Sequence, residues 1–498
     1  MNKNPPGLSL KLSSIKRYPG TQIGVAHLFC DIYQNKARFN FIDGNWYIFD
    51  ESAGWKKDES GAEIFGLIDE LSSALYDAGK QIHTKEKREE YHKNYCSQLT
   101  STNKINRLLE AASKFNAFSA NALDGSKDVL GTINGVITLN LDGTYAFSEF
   151  SPEHMITRHM NAVYDPNATC PTWEKFIDEV LGGDQENIKF FKIFLGQTLY
   201  GRNHQKAFGI LYGPSTNNGK STLTNALKDL FGDYAVTVNK DLITKKKQMS
   251  ASDYEQIAKT HGTRLVTLPE PDQDTVVDVS TIKNLTGNAP ISARRLYQHS
   301  FEFVPAFTLL IDTNHKLWMR DNTIFTRGSV VMFMFNQMFT GSRADSTLDE
   351  KLRGEFSGIL NWLLEGWKDY CNATQGGSKH WNIPKSMDKA LKEYCNESDP
   401  ISQFISDNFV VTGNQNDGVD TRSAYKIYSE WCRECGRQPK NNTSFQADFR
   451  KHLTDLLRKQ LNISGPYDEN YSKRKDSSGK RYYWGIEPTS FQARIHTK

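Results

Sequence analysis

One stretch constrains this chain more than any other. The run Ala207-Phe208-Gly209-Ile210-Leu211-Tyr212 reads as a buried strand and leads straight into Gly213-Pro214-Ser215-Thr216-Asn217-Asn218-Gly219-Lys220-Ser221-Thr222-Leu223. A helical pattern then continues to about Phe231. A strand, a glycine-bearing loop, Lys-Ser and a helix together form an anion cradle, because backbone N–H groups and the positive end of the helix dipole face the same point. The nucleotide-binding candidates are therefore Gly213, Pro214, Asn217, Asn218, Gly219, Lys220, Ser221 and Thr222. Lys220 is expected to reach the β- and γ-phosphates of ATP, and Ser221 to hold Mg²⁺. Five residues, Pro214 to Asn218, lie between the two glycines where the usual pattern has about four, so the loop is one residue longer or its first turn is built differently. An ordinary turn before a helix is the plainer reading, and Gly-Lys-Ser-Thr directly behind an apolar strand speaks against it.

Two further apolar strands end in polar groups. Arg264-Leu265-Val266-Thr267-Leu268 runs into Pro269-Glu270-Pro271-Asp272. A carboxylate at such a strand end can orient Mg²⁺ or the attacking water, with Glu270 the first candidate and Asp272 the second. Phe307-Thr308-Leu309-Leu310-Ile311 leads into Asp312-Thr313-Asn314-His315, where the Asn314 amide can touch a γ-phosphate or its water. Between these strands lies Ile282-Lys283-Asn284-Leu285-Thr286-Gly287, followed by a segment carrying Arg294, Arg295, Tyr297 and His299.

Taken in order, Gly219-Lys220-Ser221, Glu270, Lys283-Asn284-Leu285-Thr286-Gly287, Asn314 and Arg327 resemble the core of superfamily 3 helicases, within the poxvirus-, phage- and plasmid-type primase-helicase family. The likeness extends to Asn134-Gly135-Val136, Tyr164-Asp165-Pro166 and Trp173 before the core, and to Gly358 through Gly366 after it. Asn288 stands where an Asp is common, and Leu317 where a Pro often follows the asparagine. The resemblance implies an α/β fold: an AAA+ P-loop motor with a mixed α+β N-terminal domain and a winged-helix-like C-terminal domain. It implies catalytic roles for Lys220, Glu270, Asn314 and Arg327, with metal contacts from Ser221, Glu270 and Asp272. Arg327 becomes an arginine finger given in trans, which requires a homo-oligomer, and a head-to-tail contact that closes makes a ring, by family expectation a hexamer. Residues 290–304 become a DNA-gripping β-hairpin, and its residues suit that role independently: Lys283, Arg294, Arg295 and His299 can meet phosphates and Tyr297 can stack on a base. The plainer alternative is a surface hairpin whose arginines pair with local acids.

The rest of the chain fills in around this core. With 498 residues, two to four domains are expected. Breaker-rich segments suggest an accessory domain over 1–165, the motor over 166–385 and a third domain over 386–498. Asp43-Gly44-Asn45 between aromatic runs predicts a hairpin, Ile64 to about Ser113 reads as helical, and the Lys85–Glu90 charge run reads as a solvated face. Near the C-terminus a helix with Tyr425, Tyr428 and Trp431 at core spacing precedes a second helix carrying Arg450 and Lys451. A basic hairpin with Lys473, Arg474, Lys475, Lys480 and Arg481 follows, which is a winged-helix order suited to duplex DNA. The plainer reading there is a basic protein-interaction domain. A net charge of only +3 carries no argument for nucleic acid by itself. Seven scattered cysteines give no disulfide framework, and Cys432 with Cys435 lacks the second ligand pair a zinc site needs. No apolar run is long enough for a membrane span and no secretory leader is seen, so a bacterial or phage-infected host cytoplasm is expected, without a membrane partner.

These readings predict an ATP- and Mg²⁺-dependent DNA helicase of a mobile element, acting on single strands and on fork or origin duplex, with 3′-to-5′ polarity implied by the family. No segment ahead of the accessory domain is seen that could hold a primer-making domain, so a separate primase or polymerase partner is expected. The competing readings are an origin-binding initiator that uses ATP as a switch and an ATPase that remodels or packages DNA without unwinding it.

Overall fold

The computed structural model describes residues 8–119, 122–246, 248–271, 276–296, 299–319, 328–397, 400–414, 416–434, 438–461, 474–476 and 479–489. Its centre is a sheet of five strands: β1 (Phe208–Tyr212), β2 (Ala235–Thr237), β3 (Leu265–Leu268), β4 (Thr308–Thr313) and β5 (Val330–Met334). They lie in the order β5-β1-β4-β3-β2, and every pairing is parallel. Strands buried on both faces read as unbroken apolar runs, which is how β1, β3 and β4 could be found in the sequence. The parallel order brings the C-terminal tips of β1, β3 and β4 side by side, since β4 sits between the other two.

One face of the sheet is covered by the helices Pro171–Val180, Gln185–Gly196, Lys220–Phe231 and Phe356–Thr374, around Trp173, Phe191, Phe194, Phe231 and Trp367. The other face packs Ile257, Ile282, Leu285, Leu391 and Tyr394. Gln185–Gly196 starts on Asp184, whose carboxylate accepts from the N–H groups of Glu186 and Asn187, both at 3.1 Å. This helix meets Phe356–Thr374 backbone to backbone. A Cβ on Gly196 would stand 2.2 Å from the Gly366 carbonyl carbon, and one on Gly366 would stand 2.3 Å from the Lys192 carbonyl oxygen.

The N-terminal part holds the helices Gln22–Tyr33, Ala62–Lys80, Lys85–Asn94 and Thr102–Phe115 and an antiparallel sheet over residues 37–57. Its first turn is the expected Asp43-Gly44-Asn45, with Gly44 at φ 71°. A second antiparallel sheet, residues 129–148, buries Leu130, Ile137 and Leu139 in the same core as Trp173 and Phe194. Arg264, 3% exposed at the start of β3, donates to the carbonyls of Ser126 at 3.0 Å and Val129 at 3.3 Å. The Tyr234 hydroxyl oxygen adds to this junction by accepting from the Gly131 N–H at 3.0 Å.

The C-terminal part has its own core of Phe404, Tyr428, Trp431, Phe445, Phe449 and Tyr483. Its helices are Pro400–Asn408, Thr421–Glu434 and Asn442–Leu461, and a three-stranded antiparallel sheet joins residues 418–420, 481–484 and 474–475. Tyr428 and Trp431 are buried and Tyr425 is packed against them, as their spacing predicts. Among the described residues no helix is long and apolar enough to cross a membrane. Cys432 is buried and its sequence neighbour Cys435 lies outside the described residues.

The Gly196–Gly366 crossing leaves no room for a side chain. Gly366→Leu is expected to destabilise the fold by about 1–3 kcal/mol, as overpacked contacts do. The measurement is the urea midpoint of the full chain, and an unchanged midpoint would contradict the contact.

Candidate nucleotide site

The loop after β1 is braced by its own side chains. Asn218 is 4% exposed, and its amide donates to the carbonyls of Ser215 at 2.6 Å and Gly213 at 3.4 Å. A Cβ on Gly213 would stand 2.3 Å from that amide nitrogen and 2.7 Å from the Phe335 carbonyl oxygen, so the residue can only be glycine. Asn217 and Gly219 take left-handed backbone, at φ 56° and 87°. The Asn217 carbonyl accepts from the Phe339 N–H at 2.8 Å, which ties the loop to the segment after β5. The extra residue is absorbed outward, because Pro214, Thr216 and Asn217 are exposed while Gly213 and Asn218 are buried.

Lys220 opens the helix Lys220–Phe231 and is 4% exposed. Its ammonium donates to Asn314 Oδ1 at 2.6 Å, Asn218 Oδ1 at 3.1 Å and the Gly213 carbonyl at 3.4 Å. Burial lowers its pKa from the ordinary lysine value, and the Asp312 and Glu270 carboxylates oppose that shift. Asn314 follows the end of β4. Its backbone N–H donates to Glu270 Oε1 at 2.6 Å and its Nδ2 to Glu270 Oε2 at 2.8 Å. A side-chain amide carries an acceptor and donors at once, so Asn314 can face the ammonium with its oxygen and the carboxylate with its nitrogen. His315 Nε2 lies 3.7 Å from Glu270 Oε1.

Lys220, Glu270 and Asn314, three residues far apart in sequence, thus form one hydrogen-bonded chain across three strand tips. Ser221 and Thr222 occupy the first helical turn beside it, exposed and half-exposed. Asp272 and Arg327 lie outside the described residues. The sequence reading gave no role to Asp312, which pairs across β4 and β1 with Leu211 and places Oδ1 3.8 Å from the Lys220 ammonium. Burial pushes its pKa up to about 6, with Lys220 pulling the other way. The signal was there: a carboxylate inside an apolar central strand. The arrangement fits a magnesium triphosphate. Neutral oxygens now surround an ammonium at a helix N-terminus, and phosphate oxygens can take their place. Mg²⁺ usually arrives with phosphates and needs few protein groups, which Ser221 with Glu270 or Asp312 can supply. Among the described residues no three metal-ligating side chains cluster by themselves.

The expected basic hairpin is present as strands Ile291–Arg294 and Ser300–Phe303, paired Arg294 to Ser300. Ala293 and Phe303 are buried against the body, while Arg294 and His299 are exposed. Arg295 lies over the Phe301 ring at 5.7 Å. Tyr297 lies outside the described residues. Lys283 is exposed on the helix Val279–Thr286. In the C-terminal part Lys451, Lys475, Lys480 and Arg481 are exposed and Arg450 is half-buried. Arg474 begins a strand, and Lys473 lies outside the described residues.

Three family profiles match the chain: "D5 N terminal like" over residues 26–182, a family of unknown function (DUF5906) over 211–327, and "Poxvirus D5 protein-like" over 396–493. "Putative helicase L207/L206" of Acanthamoeba polyphaga mimivirus is 24% identical over 427 residues, covering 78% of this chain and 43% of the relative. "Putative helicase 184R" of Invertebrate iridescent virus 6 is 23% identical, covering 66% of this chain and 36% of the relative. The chain therefore spans less than half the length of these two curated relatives. Among solved structures, the apo C-terminal region of NrS-1 aligns over 92% of this chain and 98% of that chain at 9% identity, with a TM-score of 0.45.

Asp312 gives a pH test. Its folded pKa, about 6, lies above the ordinary carboxylate value of 3.8, so its charged form disfavours the folded state. Stability from this group is fully present below the unfolded value and is lost as pH rises through the folded one. Asp312→Asn is therefore expected to stabilise the nucleotide-free protein at pH 8, on the order of 2 kcal/mol for a shift of this size. The gain should shrink as pH falls below about 6. Thermal melts across pH 4–8 read this out, and a mutant gain that is flat with pH would contradict it.

Proposed function

The chain belongs to the D5-type primase-helicase family, whose N-terminal-like and poxvirus-D5-like domains it carries, and on that premise we propose that it is an ATP-driven replicative DNA helicase of a virus, phage or related mobile element. The observation that supports this best is the bridge from Lys220 through Asn314 to Glu270, beside a glycine-braced loop and a helix N-terminus. In this reading Lys220 releases the Asn314 oxygen and takes the β- and γ-phosphates. The backbone N–H groups of the loop orient the triphosphate, and Ser221 contacts its Mg²⁺. Asn314, freed on one side, can turn toward the γ-phosphate, and the Glu270 carboxylate can then accept a proton from the attacking water.

Arg327 acts on the neighbouring protomer's ATP, so the working form is a closed ring, by family expectation a hexamer. The hairpin carrying Arg294, Arg295, Tyr297 and His299 grips single-stranded DNA, with Lys283 beside it, and movement is 3′ to 5′. The order of helices and antiparallel strands in residues 400–489 supports a winged-helix-like domain that meets duplex through Arg450, Lys451 and the basic strands. The accessory domain is assigned to 1–165, the motor to 166–385 and the DNA-binding domain to 386–498.

A strand-displacement assay on forked DNA tests the proposal. Wild type is expected to unwind with ATP and Mg²⁺, and Lys220→Ala to lose both hydrolysis and unwinding. Sequence-specific DNA binding without turnover would point to an initiator, and turnover without displacement to a remodelling ATPase.

Arg327→Ala separates binding from catalysis. It should keep nucleotide affinity and lose about 10³-fold in kcat, the scale of a missing arginine finger. Mixing it with Lys220→Ala should restore part of the activity, since each mutant supplies what the other lacks. Full ATPase in a particle whose mass is that of a monomer would sink the trans assignment.

A further inference from the structure

A second cleft lies at the opposite end of the central sheet from the phosphate loop. It measures about 1160 Å³, larger than the roughly 300–1,000 Å³ of ordinary small-molecule pockets. Lys206 precedes β1 and Ser329 precedes β5, and both line it. The loop that holds Lys220 follows the other end of β1. A strand of this length separates the two regions by about 15 Å. The cleft is therefore distinct from the nucleotide site, in a fold where phosphate ligands take the carboxyl ends of strands.

Its chemistry is one-sided. Lys206, Lys283, His204 and His380 line it together with Asn284 and Asn288, and no Asp or Glu is among its described lining residues. Burial and the nearby Arg202 lower the His204 pKa, so the fixed positive charge of the lining comes from its two lysines. Its floor is stiff. Gln205 is 4% exposed and bonds to the Tyr370 hydroxyl at 3.3 Å and to the Lys379 carbonyl at 3.0 Å. Asn203 brackets the turn through the Ala207 carbonyl at 2.6 Å and the Ala207 N–H at 3.1 Å. Within that turn Lys206 is held in left-handed backbone at φ 51°, a conformation unusual for a lysine. Asn288 leaves a buried side-chain oxygen without a partner at the cleft wall. Tyr254 adds one aromatic ring, and Ile291 and Ser292 make the wall continuous with the first strand of the basic hairpin.

We propose that this cleft is a binding site for the sugar–phosphate backbone of single-stranded nucleic acid, extending the track of the hairpin along the lower end of the sheet. Room for several nucleotides, lysines in the lining, amides for sugar and phosphate oxygens and one stacking ring are what a strand requires. The inference rests on the helicase reading and goes beyond it by naming a second contact surface and Lys206, Asn288 and Tyr254 within it.

The test is fluorescence anisotropy of a labelled oligothymidylate titrated with the full chain over a series of salt concentrations. Lys206→Asn removes one cation while keeping a residue that tolerates left-handed backbone, and Asn288→Asp puts an acid into the wall. Each should weaken binding, the pair by about 10-fold or more, and the salt slope of Lys206→Asn should fall by about 0.7 for one lost phosphate contact. Circular dichroism melts show whether each variant is folded, and Lys206→Asn stands alone if Asn288→Asp is not. If wild type binds no DNA, the helicase reading fails and takes the cleft with it. If wild type binds, Arg294→Ala with Arg295→Ala weakens it and the folded cleft variants match wild type, the cleft proposal alone is overturned. A change in assembly mass with DNA affinity untouched would also overturn it, because the cleft would then belong to a second copy of this chain.

Discussion

A single side-chain amide sets the geometry of the nucleotide site. The Asn314 side chain accepts from the Lys220 ammonium at 2.6 Å with its oxygen and donates to Glu270 Oε2 at 2.8 Å with its nitrogen, while its backbone N–H donates to Glu270 Oε1 at 2.6 Å. An aspartate would keep the backbone bond but could not donate to Oε2 from its ionised side chain, and a hydroxyl could not span both partners. The contact exists because β4 lies between β1 and β3, so a residue just past its tip reaches the loop on one side and the acid on the other. In the proposed triphosphate complex an ammonium–phosphate bond would replace the ammonium–amide bond and leave the amide short of one partner, so occupancy would be felt at the acid without any long-range rearrangement.

The frame that holds these tips is not confined to the central sheet and the helices that cover it. The sheet of residues 129–148 shares the apolar core of the helices around β1. Arg264 fixes that sheet to the start of β3, and a Cβ on Gly201 would stand 1.5 Å from its Nη1, so the guanidinium occupies space that only a glycine leaves open. Arg158 reaches the same junction, bonding to the carbonyls of Asp233 at 2.6 Å and His261 at 3.0 Å. A buried guanidinium is costly unless its donors are met. Here the Ser126 and Val129 carbonyls meet Nη2 of Arg264, while its Nε is left buried without a hydrogen-bond partner among the described residues, so the contact ties the two parts together at a cost.

Much of this was legible in the sequence because parallel strands leave long apolar runs and polar groups at their tips. The runs before Gly213, Glu270 and Asn314 marked β1, β3 and β4 and the polar residues at their tips, and Asp43-Gly44-Asn45 marked a turn. Aromatic spacing at Tyr428 and Trp431 gave a core. What stayed hidden depends on neighbours across the sheet. The order β5-β1-β4-β3-β2 cannot be read from runs alone, and without it Asp312 is one acid among many rather than a carboxylate beside the phosphate-loop lysine. Asn218 read as a phosphate contact, and its bonds to Ser215 and Gly213 show it bracing the loop. The Gly196–Gly366 crossing was equally invisible, since a glycine in a helical pattern gives no hint of what approaches it.

The hairpin and the acid site are linked through the chain itself. The second hairpin strand ends at Phe303, and β4 begins at Thr308. Phe303 and Phe307 are both buried, so the connection is packed rather than slack. The far end of β4 carries Asp312 and leads into Asn314. A six-residue strand hydrogen-bonded on both sides behaves as a stiff rod about 20 Å long. In the proposed helicase, an axial shift of β4 at Asn314 would be carried to the hairpin base. The reverse would hold too, because a coupling free energy between two sites acts equally on both: a strand of nucleic acid that moved the hairpin would change how tightly Asn314 holds Glu270 and Lys220.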